Sequence, residues 1–140
     1  VMESGLMVLP MLGQVALTLF AYAVTLRRRV GAVRSGEMDG LYFKTKQVGE
    51  PTRAVKQGDD LVLNLFEAPM LFFAGCITAI ALDVVDGVLL GLASLFVLAR
   101  IVHAHEYLGR NRIGKRFRPW TAALVSIALF WLWLTRLALI

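Results

Sequence analysis

Apolar residues along this chain gather into four long blocks, at about 6–26, 61–82, 87–109 and 119–139, separated by polar links. At 1.5 Å per helical residue, a block of roughly 20 residues crosses a hydrocarbon core of about 30 Å. The pattern predicts an all-α integral membrane four-helix bundle in a single domain. The first block lacks a basic leader and runs straight into Arg27, Arg28 and Arg29. It is therefore expected to persist as an anchor and not to be cleaved as a signal peptide.

Polar residues inside these blocks break the pattern, and they do so with helical spacing. Asp60, Asn64 and Glu67 open the second block at intervals of four and three, which places them in a narrow stripe on one helix face. An ionisable side chain at that depth costs a few kcal/mol or more unless it is paired, so it marks a functional site. The third block carries a cationic stripe. Arg100, His103, Tyr107 and Arg110 fall within about 80° of arc on an ideal helix. Glu67 lies about 9 Å, and Arg100 about 13 Å, from the same end of their spans. Matched depth predicts an ion pair between them, which answers the desolvation of both groups and could by itself do no more than lock two helices together.

Composition agrees with the block pattern. Apolar residues make up 58% of 140 positions and mean hydropathy is +0.68, too hydrophobic for a soluble domain of this size. The formal charge of +5 is unevenly placed. Eight of the fifteen basic residues lie between Arg27 and Lys56 and six between Arg100 and Arg118, whereas the link between spans two and three has only Asp83 and Asp86. That asymmetry is the positive-inside signature. It puts the basic links in the cytoplasm of a bacterial-type cell and both termini on the non-cytoplasmic side of the inner membrane. Charge at such edges meets anionic headgroups, which argues against nucleic acid as a partner.

Several further residues have plain readings. Cys76 is the only cysteine, so no intrachain disulfide or cysteine metal framework exists and the thiol is expected to pack. His103 and His105 point about 160° apart on a helix, which disfavours a shared metal ion. Gly87 and Gly91 have the GxxxG spacing of closely packed helices. Trp120, Trp131 and Trp133 are expected as interface anchors near span ends or as lining of an aromatic cavity. The link from about 30 to 58 is long, with Leu41, Tyr42 and Phe43 as a semi-apolar patch. It is expected to act as a lid over a cleft or to rest at the headgroups.

The second and third blocks also carry a resemblance. The stretch Asn64-Leu-Phe-Glu67-Ala-Pro69, preceded by Arg53 and a polar segment, is similar to the NxxExxP signature of the MAPEG family, the membrane-associated proteins in eicosanoid and glutathione metabolism. Arg100-Ile-Val-His103-Ala-His-Glu-Tyr107, followed by Arg110, Arg112 and Arg116, resembles the third span of that family's prostaglandin-synthase members. The similarity covers nearly the whole chain. It implies a homotrimer that binds glutathione in clefts between neighbouring protomers near the cytoplasmic face. By position, Arg28, Asn64, Glu67, Arg100, His103 and Tyr107 match the family's glutathione-contacting and site-lining residues, and Arg116 matches the arginine that stabilises the thiolate.

Departures qualify what the resemblance implies. Those synthases carry arginines where this chain has Asp60 and Leu63, and a hydroxyl residue where it has Phe117. Loss of the two cations weakens the hold on the carboxylates of glutathione, unless Arg53, Lys56 or Arg110 compensates. Three functions follow: a glutathione-dependent transferase or peroxidase acting on a lipophilic small molecule at the cytoplasmic leaflet; a non-catalytic scaffold that binds lipid or quinone or serves as an accessory subunit to a partner membrane protein; and a purely structural bundle.

Overall fold

A computed structural model of the protein describes residues 3–46 and 48–140. After a 3-10 turn at Ser4–Met7, the chain forms α1 (Val8–Arg34), a short α2 (Tyr42–Thr45), α3 (Arg53–Ala81), α4 (Gly87–Leu108) and α5 (Ile113–Leu139). No strand occurs among the described residues. Four helices are long and apolar enough to cross a membrane. Pairing is closest between α4 and α5 and next closest between α1 and α3.

Three of the four helices are longer than the apolar blocks that announce them. α3 starts at Arg53, two turns before Leu61, because Thr52 Oγ1 accepts the Val55 N–H at 3.3 Å and caps it. Val55 on that polar extension is buried against Ala32 and Met38. α5 starts at Ile113, so Pro119 lies inside the helix, not at its first turn. α1 runs on to Arg34. The first link therefore shrinks to 35–52, and Tyr42 and Phe43 pack back onto the Ala32–Met38–Val55 cluster.

Packing, not hydrophobic transfer, holds such helices together, since lipid tails are as apolar as leucine. The core stacks Phe72 on Phe96 at 4.7 Å between centroids and surrounds them with Met7, Leu89, Phe130 and the buried Cys76. Close approaches occur at two glycines of α3. A Cβ at Gly58 would stand 2.6 Å from Thr25 Oγ1 of α1, and one at Gly75 would stand 2.8 Å from the Phe130 ring of α5. The GxxxG expectation is different: Gly91 is exposed and a Cβ there would meet nothing within 4 Å, so that spacing does not pack helices within this chain.

At the end opposite the basic links, Asp86 caps α4 by accepting the Leu89 N–H at 2.8 Å, and its other oxygen accepts the Trp133 indole N–H at 2.8 Å. Ser4 donates to Asp83 beside it. The Arg136 guanidinium lies 4.6 Å from the Trp133 ring.

Candidate functional site

The polar site forms where α3, α4 and α5 meet at the end that carries the basic links. Its pivot is the four-residue link from Gly109 to Arg112. Asn111 there adopts a left-handed φ of 51°, a conformation that asparagine tolerates better than most residues. The Glu106 carboxylate accepts from the Arg112 backbone N–H at 3.3 Å and pairs with its Nε at 3.1 Å, bracing the turn. α5 then departs so that Arg116, Phe117 and Trp120 face α3 and α4.

These elements border an open-sided cavity of about 330 Å³ lined by Asn64, His103, Tyr107 and Arg116, with the exposed Ile113 and Phe117 and the half-buried Trp120 as its apolar rim. That volume is within the range of small-molecule sites. The Arg116 guanidinium lies 4.4 Å from the centroid of the Tyr107 ring, and its Nη1 donates to Asn111 Oδ1 at 2.7 Å. Its Nε and Nη2 have no hydrogen-bond partner among the described residues. His103, 3% exposed, donates Nδ1–H to the Arg116 carbonyl at 3.0 Å. A carbonyl can only accept, so this bond fixes the tautomer and leaves Nε2 as an acceptor in the neutral ring. That Nε2 is buried and unpartnered.

A second cavity of about 410 Å³ shares Tyr107 and Arg116 with the first. Arg53, Lys56, Gln57, Asp60 and Asn111 line it. Arg116 therefore stands in the wall between an aromatic chamber and a predominantly basic one. Of the three cations considered as compensation for the missing arginines, Arg53 and Lys56 are at this site; Arg110 is exposed beyond the end of α4 and lines neither cavity.

The expected Glu67–Arg100 ion pair does not form. The ion pairs among the described residues are Arg29–Asp59 and Arg112–Glu106. Arg100, 1% exposed, donates Nη2–H instead to the Asn64 backbone carbonyl at 3.1 Å and to its Oδ1 at 2.8 Å. Asn64 in turn donates Nδ2–H to Glu67 at 3.2 Å. An amide thus stands between the two charges. Glu67 itself is exposed on the outer face of the bundle, beside the exposed side chains of Leu63, Phe66 and Met70. The reason is angular: Leu61, Leu65, Phe72, Cys76 and Ala79 define the buried face of α3, and Glu67 is roughly 150° from the centre of that face on an ideal helix.

The remaining expected residue, Arg28, is engaged by backbone. Its Nη1 donates to the Ala54 carbonyl at 3.0 Å and its Nη2 to the Leu108 carbonyl at 2.7 Å, tying α1 to α3 and to the C-terminus of α4. It lines neither cavity. His103 is buried while His105 is exposed on the opposite face, and no cluster of three metal-binding side chains occurs among the described residues. Trp120 lines the first cavity, whereas Trp131 donates to the Leu71 carbonyl at 3.1 Å. Asn111 and Gln57 are site residues that the sequence stripes missed, because one lies in a turn and the other precedes the apolar block.

Fold and site together define a four-span, all-helical integral membrane protein with a polar, arginine-bearing cleft at one end. The family model for the MAPEG family matches residues 7–136, nearly the whole chain, and the protein belongs to that family. Neither the curated proteins nor the solved structures compared with it contain a match.

Proposed function

We propose that this protein is a glutathione-dependent transferase or peroxidase that acts on a lipophilic substrate at the cytoplasmic leaflet of a bacterial-type inner membrane. The observation that carries the reading is Arg116, oriented by Asn111 and Tyr107 with two donor nitrogens free, in the wall shared by two cavities. Glutathione, when bound, supplies a thiol nucleophile. A free thiol has a pKa near 8.5, and a guanidinium beside it favours the thiolate, which raises the reactive fraction at neutral pH.

The residues present fit a peptide thiol. Asn64 and Tyr107 offer polar groups in the first cavity for the amides of such a peptide. Arg53 and Lys56 offer cations for carboxylates in the second cavity, against the single carboxylate of Asp60. Phe117 and Trp120, whose rings stack at 5.8 Å, give the first cavity an apolar surface for the electrophile. A homotrimer completes the reading. Glu67, exposed about 9 Å inside its span, cannot face hydrocarbon without a cost of a few kcal/mol, and a neighbouring copy of the chain would cover it.

A second reading, a non-catalytic scaffold that binds lipid or quinone or joins a partner membrane subunit, is favoured by two observations. Asp60 opposes a carboxylate in the basic cavity, and Arg28 is held by two carbonyls. Calorimetry and thiol absorbance on the detergent-solubilised protein separate the two. The enzyme reading expects glutathione binding with a thiolate signal near neutral pH, abolished by Arg116→Ala and partly kept by Arg116→Lys. One unit of thiol pKa corresponds to about 1.4 kcal/mol, within reach of one well-placed arginine. Millimolar affinity without a thiolate signal would sink the enzyme reading, and recovery in Asp60→Arg with Leu63→Arg would trace the loss to those positions.

A further inference from the structure

The face of α1 that emerges at the basic end belongs to neither cavity. Leu26, Arg29, Val30, Val33 and Arg34, with Phe43 of α2, line a groove of about 450 Å³. At 100° per residue, Leu26, Val30 and Val33 fall within about 60° of arc, with Arg29 along one edge and Arg34 along the other. The groove is an aliphatic floor between two guanidinium groups.

The two edges differ. Asp59 of α3 holds Arg29 at 2.7 Å, and the Arg29 guanidinium also lies 5.4 Å from the Phe43 centroid, so that edge is fixed. Arg34 is exposed, and none of the hydrogen bonds or ion pairs among the described residues engages its side chain. No carboxylate lines the groove itself.

Depth fits a lipid. Leu26 closes the first apolar block, and Arg34 lies eight residues, about 12 Å, farther along the axis. The headgroup layer is about 5–8 Å thick per leaflet; Arg29 lies within it, and the Arg34 side chain, which leans toward the N-terminus of α1 as helix side chains do, reaches back to it from just beyond, while Leu26 touches the acyl region.

We propose that this groove binds one anionic phospholipid, the start of its acyl chain against Leu26 and Val30, its glycerol region over Val33 and its phosphate between Arg29 and Arg34. Charge complementarity selects this occupant. An apolar helix docked here would desolvate Arg34 without a counter-ion, whereas a phosphate accepts the planar fork of an arginine through two hydrogen bonds. A zwitterionic lipid brings its own cation and gains less.

Native mass spectrometry of the full-length protein in neutral detergent, with equimolar dioleoyl phosphatidylglycerol and dioleoyl phosphatidylcholine, tests this. The parent protein should retain phosphatidylglycerol about fivefold over phosphatidylcholine, the factor that one basic group near an anionic surface contributes. Arg34→Gln should bring the ratio towards one. Val30→Trp, at an exposed position that leaves the core intact, should fill the groove and reduce bound lipid of both kinds. Equal retention of the two lipids by the parent would overturn the proposal, as would a full preference surviving both substitutions. Loss with Arg34→Gln but not with Val30→Trp would place the lipid on a general basic surface and overturn the groove. Displacement by inorganic phosphate would reveal a bare anion site and overturn the lipid.

Discussion

If Asn64, and not Glu67, is the partner of the buried Arg100, a mutant cycle should say so in sign and size. Asn64→Ala removes the 2.8 Å acceptor Oδ1 and leaves the backbone carbonyl at 3.1 Å. A hydrogen bond to a charged group contributes about 1.5–3 kcal/mol. Interhelical hydrogen bonds within membranes average about 0.6 kcal/mol, which pulls the expectation to the lower end, about 1.5 kcal/mol. Arg100→Met substitutes an apolar chain for the cation and leaves no buried charge behind, so it should cost less than an alanine that opens a void. In the Arg100→Met background, Asn64→Ala should then cost no more than about 0.5 kcal/mol, giving a coupling of about 1 kcal/mol or more. Glu67→Gln keeps an acceptor for Asn64 Nδ2 and should couple to Arg100→Met more weakly. Unfolding of the micelle-solubilised protein by titration with a denaturing detergent reads all of these differences. Additivity of Asn64→Ala with Arg100→Met, or stronger coupling between Glu67 and Arg100, would refute the amide bridge and restore the direct ion pair.

Three other outcomes are expected. Arg28→Ala should destabilise the protein in the absence of any thiol, by about 1.5–3 kcal/mol for the Leu108 bond alone; unchanged unfolding with weakened glutathione binding would instead make Arg28 a ligand contact. Asp86→Ala should lose both a helix cap, about 0.5–2 kcal/mol, and the Trp133 bond, whereas Asp86→Asn has one side-chain oxygen and can serve only one of the two donors. Equal losses for the two substitutions would contradict that division. Single-cysteine labels at Ser35 and Lys115, in a Cys76→Ser background, should be protected from an impermeant thiol reagent outside intact cells while a label at Glu3 reacts; the reverse pattern would invert the orientation and move the cleft to the other face.

The four spans were legible because apolar blocks of about 20 residues have few alternative explanations. Helix ends were not, because the residues that extend α3 and α5 past the hydrocarbon are polar and read as loop. Arg53–Asp60 looks like a charged link, yet Thr52 caps it and buried Val55 anchors it. The glycine pair Gly87 and Gly91 shows the converse, since Gly91 meets no other helix within the chain. Spacing specified a close-packed surface, while the actual close approaches at Gly58 and Gly75 depend on Thr25 and Phe130, which are distant in sequence.

The candidate site divides along the same line. Arg100, His103 and Tyr107 share one continuous helix, so their common face followed from period alone. Arg110 continued the period on paper but not in space, since α4 ends at Leu108. The Glu67–Arg100 pairing failed for a different reason. A stripe of Asp60, Asn64 and Glu67 establishes that the three share a side of α3, not which side is buried, and the apolar line through Leu61, Phe72 and Cys76 takes the interior. Asn64, about 60° nearer to that line than Glu67, reaches Arg100 across the helix boundary. The carboxylate is left outside. Arg116 could not be placed from spacing at all, because its position depends on the left-handed turn at Asn111 and on the carbonyl that receives His103. One side chain, Asn111, both makes the turn and orients the guanidinium that the turn delivers. Its identity is therefore constrained twice, once by backbone conformation and once by the charge it positions.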